Sequence, residues 1–553
     1  MKKLTSIDRS KRYISIILWI ACLAEAIFFF SWENLCGCAE LIYGWGIVSA
    51  FVLKQEYIRR YPLPTIAIFG YAFCYHVLPL LVTLIEGKAI TFNFQVPYTT
   101  FFNQFLFITT TVIAFRICIR FYRPSNILNK IWNKIGYLTP PSDKIIWIFG
   151  FIGLGCILIN LSQQGDDIEV QATGNALGIV INTLSTLSVV PVCLLFKKFY
   201  SAENGNIPYK KVACYVGMVM LIGIASTRRT IIFNAVATIM LIGLFSKYYF
   251  NKKLMSTRSL VMVILGIYVA TGPLADLATA MILSRQRTGT ESASKTFDYV
   301  LDLYQDKERL HSMYQIAMAT TDNGGDNSYS WSEYYVDNIF LDRFCNLRVL
   351  DATIYNAQKL GYANPIGQEY WRTFWINELP SSIANSLGLK KEVQGTVCDH
   401  MVIGIFGDRY SIFGCKVGGD TGIGLFVFGY WYYAVLLLSL IAAFYFMCSF
   451  VNVRAGSLSI PIPILATFMT MWCFFNTANG IFTTLAIFTR ANLNRIAIYC
   501  VVFFVLRLLT INFRKSCNYD LYCPQSVLLL RVAYLFKQEC GKKVWKIMVT
   551  RLR

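Results

Sequence analysis

Apolar residues in this chain come in long runs separated by short polar stretches. Crossing a bilayer as a helix takes about 20 mostly apolar residues, and the runs near 13–30, 36–54, 63–86, 98–119, 145–162, 176–196, 211–225, 230–248, 259–282, 423–449, 459–480 and 496–511 have that character. The pattern predicts an all-α, polytopic integral membrane protein of about twelve transmembrane helices. Four parts follow from it: an N-terminal bundle of about nine spans (1–283), a polar segment between spans nine and ten (284–422), a C-terminal bundle of about three spans (423–511) and a basic tail (512–553).

Composition supports the class. Of the 553 residues 56% are hydrophobic and only 15% charged, where a soluble globular domain carries about 25%. The formal net charge of +20 would fit nucleic acid, but the bases sit between apolar runs and read as topology signals. The N-terminus, "KQEYIRRYP", "RICIRFYRPSNILNKIWNK", "KKFYSAENGNIPYKK" and "SKYYFNKKLMSTR" are basic, whereas "SWENLCGCAE", "EGKAITFNFQVPYTT" and "SQQGDDIEVQATGN" are acidic or neutral. Every second loop carries the excess, which predicts both termini in the cytoplasm of an inner (cytoplasmic) membrane protein. The first span lacks a persuasive cleavage site and reads as uncleaved. The tail ending "GKKVWKIMVTRLR" reads as an amphipathic segment on the anionic inner leaflet.

Residues 284–422 then lie outside. They hold 17 acidic against 13 basic residues, leaving 14 and 38 for the remainder. The segment patterns as mostly helical. Phe297, Leu301, Tyr304, His311 and Met318 recur on one predicted helix face, and Leu347, Leu350 and Ile354 on another that Gly361 should stop. "FFNTANGIF" reads as a broken helix. Glu25, His76 and Asp276 are ionisable groups inside predicted spans, each readable as a cavity lining or a satisfied interhelical contact.

Three outer turns break the charge rule. "STRRT" holds Arg228 and Arg229, "SRQRTG" holds Arg285 and Arg287, and "TRANLNR" holds Arg490 and Arg495, with no lysine in any of them. The run before the first turn, at 15 residues, spans roughly 22 Å against a ~30 Å hydrocarbon core, so that turn should lie below the outer headgroups. A guanidinium keeps its charge and grips phosphate oxygens with a planar fork. The pattern points to a pocket for a membrane-embedded anion such as a lipid diphosphate, against the plainer reading of anchors to headgroup phosphates.

The outer segment offers acid–base groups. "NIFLDRFCNLRVLD" carries Asp342, Arg343, Arg348 and Asp351, with Arg348 and Asp351 adjacent on one helix. "CDHMVIGIFGDRYSIFG" carries Asp399, His400 and Arg409. His400 beside Asp399 is a candidate general base, and a surface salt bridge is the competing reading. No nucleotide-binding glycine loop, zinc signature or paired metal-binding acids stands in the segment, so neither a cofactor nor a catalytic metal is expected. A reaction there would draw its energy from the substrate, as a diphosphate-linked sugar allows.

About twelve spans, the "STRRT" turn, a large late outer loop flanked by arginines and the loop exit "GGDTGIGLFVFGYWYYAVLLL" together resemble the Wzy-type oligosaccharide repeat-unit polymerases of bacterial inner membranes. The resemblance covers the layout of the whole chain, and in motif only Ser226–Thr230 and Asp420–Gly429. It implies inverting glycosyl transfer at the periplasmic face, from a glycan on undecaprenyl diphosphate to a second lipid-linked unit. Arg228, Arg229, Arg285 and Arg287 would hold the diphosphate, Arg343 and Arg348 the donor or acceptor, and Asp342 or His400 would assist deprotonation. Arg409, Arg490 and Arg495 would add positive charge around the substrate. The partners expected are the lipid-linked oligosaccharide, membrane lipids and a chain-length regulator protein, with no nucleic acid. An O-antigen ligase would use the same donor. A lipid-oligosaccharide flippase or other transporter is the reading from another class, and would call for internal repeats and polar groups near mid-bilayer.

Overall fold

The computed structural model describes residues 5–516 except 125, 163–175, 202–205, 226–228, 253–264, 267, 270, 285–292, 311, 315–333, 343, 393–394, 407–416, 455–456 and 476–478. The described chain is helical apart from one two-stranded hairpin, β1 (Asn452–Arg454) with β2 (Ser457–Ser459), paired at Val453 and Leu458. In chain order the helices used below are α1 (Ser6–Phe28), α2 (Trp32–Phe51), α3 (Gln55–Arg60), α4 (Pro62–Ala72), α5 (Leu78–Ile85), α6 (Pro97–Phe121), α7 (Ile127–Lys134), α8 (Asp143–Ser162), α9 (Ala176–Ser185), α10 (Tyr209–Ala225) and α11 (Arg229–Tyr249). They continue with α12 (Pro273–Leu283), α13 (Ala293–Gln305), α14 (Ile339–Asp342), α15 (Leu347–Leu360), α16 (Pro365–Glu378), α17 (Ser381–Ser386), α18 (Val397–Phe406), α19 (Asp420–Phe428), α20 (Tyr432–Ser449), α21 (Ile462–Ala466), α22 (Phe468–Trp472), α23 (Ile481–Ala486) and α24 (Arg490–Ser516).

Seven helical stretches among the described residues are long and apolar enough to cross a membrane: Pro62–Ile85, Pro97–Phe121, Asp143–Asn160, Leu177–Phe199, Ile231–Tyr249, Asp420–Ser449 and Asn492–Thr510. Each falls on an expected span, and the chain is an all-α membrane protein. Five expected spans are absent from the seven for identifiable reasons. Helix α1, of 23 residues, carries five charged side chains, α2, of 20 residues, is diluted by glycines, polar residues and two acids, and α10 has only 17 residues. The stretch 259–282 lies partly outside the described residues. The stretch 459–480 is broken into α21 and α22 ahead of a turn at Gly480, whose φ of +49° suits a residue without Cβ.

The spanning helices join two chemically different ends. Helix α6 packs between α2 and α20 and, at 25 residues, is about 37 Å long. At its start, Gln95 N, Val96 N and Thr100 Oγ1 donate to Asp351 at 2.7, 3.1 and 2.8 Å. At the same end Ile90 N donates to Glu25 Oε1 (2.7 Å), and Lys88 pairs with Glu86 (2.9 Å) and Asp337 (2.8 Å). After the last turn of α6, Tyr122 donates to the Cys448 carbonyl at 2.9 Å. There the basic connectors meet: Gln55 Nε2 reaches Tyr248 O (2.8 Å), Ser6 N reaches Asn251 Oδ1 (2.7 Å), and Ile460 N reaches Phe199 O (2.7 Å). The connectors expected outside, 86–100 and 334–360, thus share one end and the basic ones the other.

Within 284–422 one expected helix face holds and one shifts. Leu347, Leu350 and Ile354 are buried, and α15 stops at Gly361 with φ +91°. On α13 the buried residues are Val300 and Leu303 rather than Phe297 and Leu301. They turn toward Ala280 and Met281 of α12 and Ile232 of α11, so the neighbouring apolar helices choose the buried face. His311 and Met318 lie outside the described residues.

Candidate functional site

The outer segment meets the bundle where α15, α16, α18 and α19 pack together. Helix α18 begins with a capping box: Thr396 N and Oγ1 both donate to Asp399 Oδ2 (2.8 and 2.9 Å), and Asp399 N donates back to Thr396 Oγ1 (3.1 Å). The carboxylate expected to orient His400 is engaged in starting the helix, and it stands near the imidazole as a negative charge. The His400 ring packs edge-on against Tyr370, centroids 5.2 Å apart. Tyr370 OH donates to Gly395 O at 3.1 Å, and its ring meets Phe482 at 4.9 Å. Trp371 and Phe374 complete an aromatic wall around Phe482.

His400 Nε2 is buried and has no hydrogen-bond partner among the described residues. Burial holds the imidazole below its ordinary pKa, against the opposing charge of Asp399. The ring is therefore neutral near pH 7, with one nitrogen uncommitted, a state able to accept a proton. Beside it, Val397 N donates to Asn479 Oδ1 (3.4 Å). The next residue, Gly480, lies against Asp420, to whose Oδ1 Tyr432 OH donates at 2.6 Å. The second Asp420 oxygen is buried without a partner among the described residues. The broken helix thus connects the His400 wall to a buried acid at the head of a span.

The arginines divide into four groups. Arg348 is 1% exposed and donates to Asp351 at 2.8 Å, joining α15 to the start of α6. The structure places it inside the packing instead of on an open surface. Asp342 ends α14, and its carbonyl accepts from Cys345 N at 3.1 Å. Arg229 and Arg490 are the first residues of α11 and α24. Arg228, Arg285, Arg287, Arg343 and Arg409 lie outside the described residues. Arg495, one turn into α24, is exposed and lines a partly open cleft of about 130 Å³ that reaches Tyr137, Met447, Phe450 and Pro463, so the arginine lies toward the basic end of the bundle instead of at the outer rim where its turn was expected. Apolar side chains (Leu187, Met447, Ile464, Met471, Ile487) and the hydroxyls of Thr183, Thr186, Thr467 and Thr470 form its walls.

A second polar cluster lies deep in the bundle. His76, in a π-helical turn at Phe73–Val77, has Nε2 3.1 Å from Glu40 Oε1, both side chains buried. Such turns often occur at functional positions. Gln104 Nε2 reaches the Tyr75 carbonyl (3.2 Å) and His76 Nε2 (3.4 Å). Tyr71 stacks on Tyr75 with ring centroids 4.4 Å apart. Sequence reasoning singled out His76 without its partner; Glu40, an acid within an apolar run, was the available signal. The other two intraspan acids are likewise bound: Glu25 to Ile90 N, and Asp276 to Lys307 at 3.0 Å. Among the described residues no group of three His, Cys, Asp or Glu side chains is arranged to hold a metal ion.

Comparison with known proteins returns no match to a family model, a curated protein or a solved structure.

Proposed function

We propose that this protein polymerises undecaprenyl-diphosphate-linked oligosaccharide repeat units at the periplasmic face of a bacterial inner membrane. In this reading the chain has about twelve spans and both termini in the cytoplasm. Residues 284–422 face the periplasm, and the tail 512–553 rests on the inner leaflet. The observation that carries it is His400 of the outer segment, whose Nε2 has no partner among the described residues and whose ring stands beside the aromatic wall of Tyr370 and Phe482. An acceptor sugar needs a base for its hydroxyl proton, and the wall offers aromatic faces for its ring.

The chemistry follows from the groups at hand. A sugar hydroxyl of the acceptor attacks the anomeric carbon of the donor glycan, forming the new glycosidic bond. The bond from that carbon to the diphosphate oxygen breaks, and the lipid diphosphate leaves with the electron pair. His400 Nε2 takes the hydroxyl proton. The arginines of the outer turns stabilise charge developing on the leaving group.

Deletion of the gene followed by gel analysis of surface polysaccharide tests the function. Loss of long chains with single-unit capped core retained supports the polymerase, and loss of every capped form supports a ligase. A flippase is the second reading, favoured by the buried Glu40–His76 pair, because ionisable groups inside a membrane commonly mark a transport path. Accumulation of units on the cytoplasmic side supports it.

A further inference from the structure

The basic end of the bundle holds a feature that the glycosyl-transfer reading leaves unused. A cleft of about 640 Å³ opens between α3, the stretch after α6 and the segment joining α20 to β1. Its lining includes Arg59, Arg60, Glu56, Tyr122, Val451 and Asn452. The volume lies in the range of small-molecule sites, about 300–1,000 Å³.

Both arginines are exposed, and neither is paired with a carboxylate among the described residues, although Glu56 shares the cleft. Arg59 Nε donates to the Tyr249 carbonyl at 3.3 Å, which anchors the guanidinium, and its two terminal nitrogens have no partner among the described residues. Arg60 packs on the Tyr61 ring, 5.5 Å from its centroid. Tyr122 OH is already spent on the Cys448 carbonyl, so that side of the cleft is an apolar wall. Exposed Lys54, Arg116, Arg120 and Arg123 on neighbouring turns add positive field without lining the cleft.

We propose that this cleft is a phosphate-oxyanion site, filled from the bilayer by the headgroup of an anionic phospholipid. Two fixed forks supply charge-assisted donors for the phosphate. The apolar wall receives the glycerol and the first methylenes of the acyl chains. Basic pockets between spanning helices at a cytoplasmic surface are suited to such lipids. The inference requires a membrane protein with this end at a leaflet surface, and is independent of the polysaccharide reading.

The test uses the purified full-length chain in detergent and native mass spectrometry. Occupancy by phosphatidylglycerol is compared with phosphatidylcholine of the same acyl chains, with and without inorganic phosphate. The expected result is a preference for phosphatidylglycerol that millimolar phosphate leaves intact. In the double variant Arg59→Gln/Arg60→Gln phosphatidylglycerol should bind about thirty-fold more weakly. The double variant Arg120→Gln/Arg123→Gln, with the same charge change outside the cleft, should bind as the parent does. Equal occupancy by both lipids, or displacement of lipid by free phosphate, would overturn the bilayer as the source. Equal weakening in the two double variants would overturn the cleft as the site. A thermal melt of each variant separates lost binding from lost folding.

Discussion

Arg348 donates to Asp351 across 2.8 Å with both side chains shut away from solvent, and Asp351 in turn receives the backbone N–H groups of Gln95 and Val96. One carboxylate therefore balances a buried guanidinium and fixes the start of α6 to the outer segment. Replacing Asp351 with alanine strands the charge, and breaking a buried pair from one side costs about 3–5 kcal/mol. Thermal unfolding of purified Asp351→Ala in detergent should show a loss of that order. Arg348→Met/Asp351→Leu should lose less, because it leaves no uncompensated charge.

Gly44 makes room for His76. A Cβ built at residue 44 would fall 2.0 Å from His76 Cδ2, and the ring is enclosed on all sides. Gly44→Ala must push α2 away from the π-helical turn, separating His76 from Glu40. Overpacking of this kind costs about 1–3 kcal/mol, readable as a lower unfolding midpoint. Gly46→Ala, where the added carbon meets nothing within 4 Å, is the matched control and should match or exceed the parent.

These two contacts show what the sequence could and could not disclose. Apolar runs marked the spans, because crossing lipid demands unbroken stretches that few other needs impose. The break before Gly480 and the stop at Gly361 were legible from residue type. Arg348 and Asp351 were legible as helix neighbours, but the direction they face depends on α6, some 250 residues away in the chain. The buried face of α13 was misjudged by one step for the same reason, since α11 and α12 select Val300 and Leu303. Asp399 had a local signal that pairing it with His400 overlooked: Thr396 three residues earlier marks a capping box.

His400 gives the proposed reaction a definite pH dependence. Burial depresses its pKa, so the neutral ring persists as pH falls past the ordinary histidine value of about 6.5. Polymerising activity should be flat from pH 8 to that value and decline only in more acidic solution, as the ring charges. The stabilising contribution runs the same way: present above the unfolded pKa, lost as pH falls through the folded one. His400→Gln should remove the activity across the range, while thermal melts show it still folded.

The outer arginines are predicted to act through fork geometry as well as charge. Arg228→Lys and Arg229→Lys keep the charge and lose the fork, forfeiting at least one charge-assisted hydrogen bond to the diphosphate. At about 1.5–3 kcal/mol for such a bond, each should slow chain growth roughly ten-fold or more and shorten the polysaccharide seen on gels. Unchanged chain lengths in both variants would mean that the arginines serve as anchors to headgroups.

The proposed function requires that this chain by itself joins lipid-linked repeat units. The direct measurement is reconstitution of the purified protein in liposomes with undecaprenyl-diphosphate-linked units, followed by separation of the lipid-linked products by size. A polymerase yields a ladder of products growing by whole repeat units and releases free undecaprenyl diphosphate, one molecule per bond formed. Units that stay single, with no undecaprenyl diphosphate released by a folded and correctly inserted protein, would contradict the proposed function.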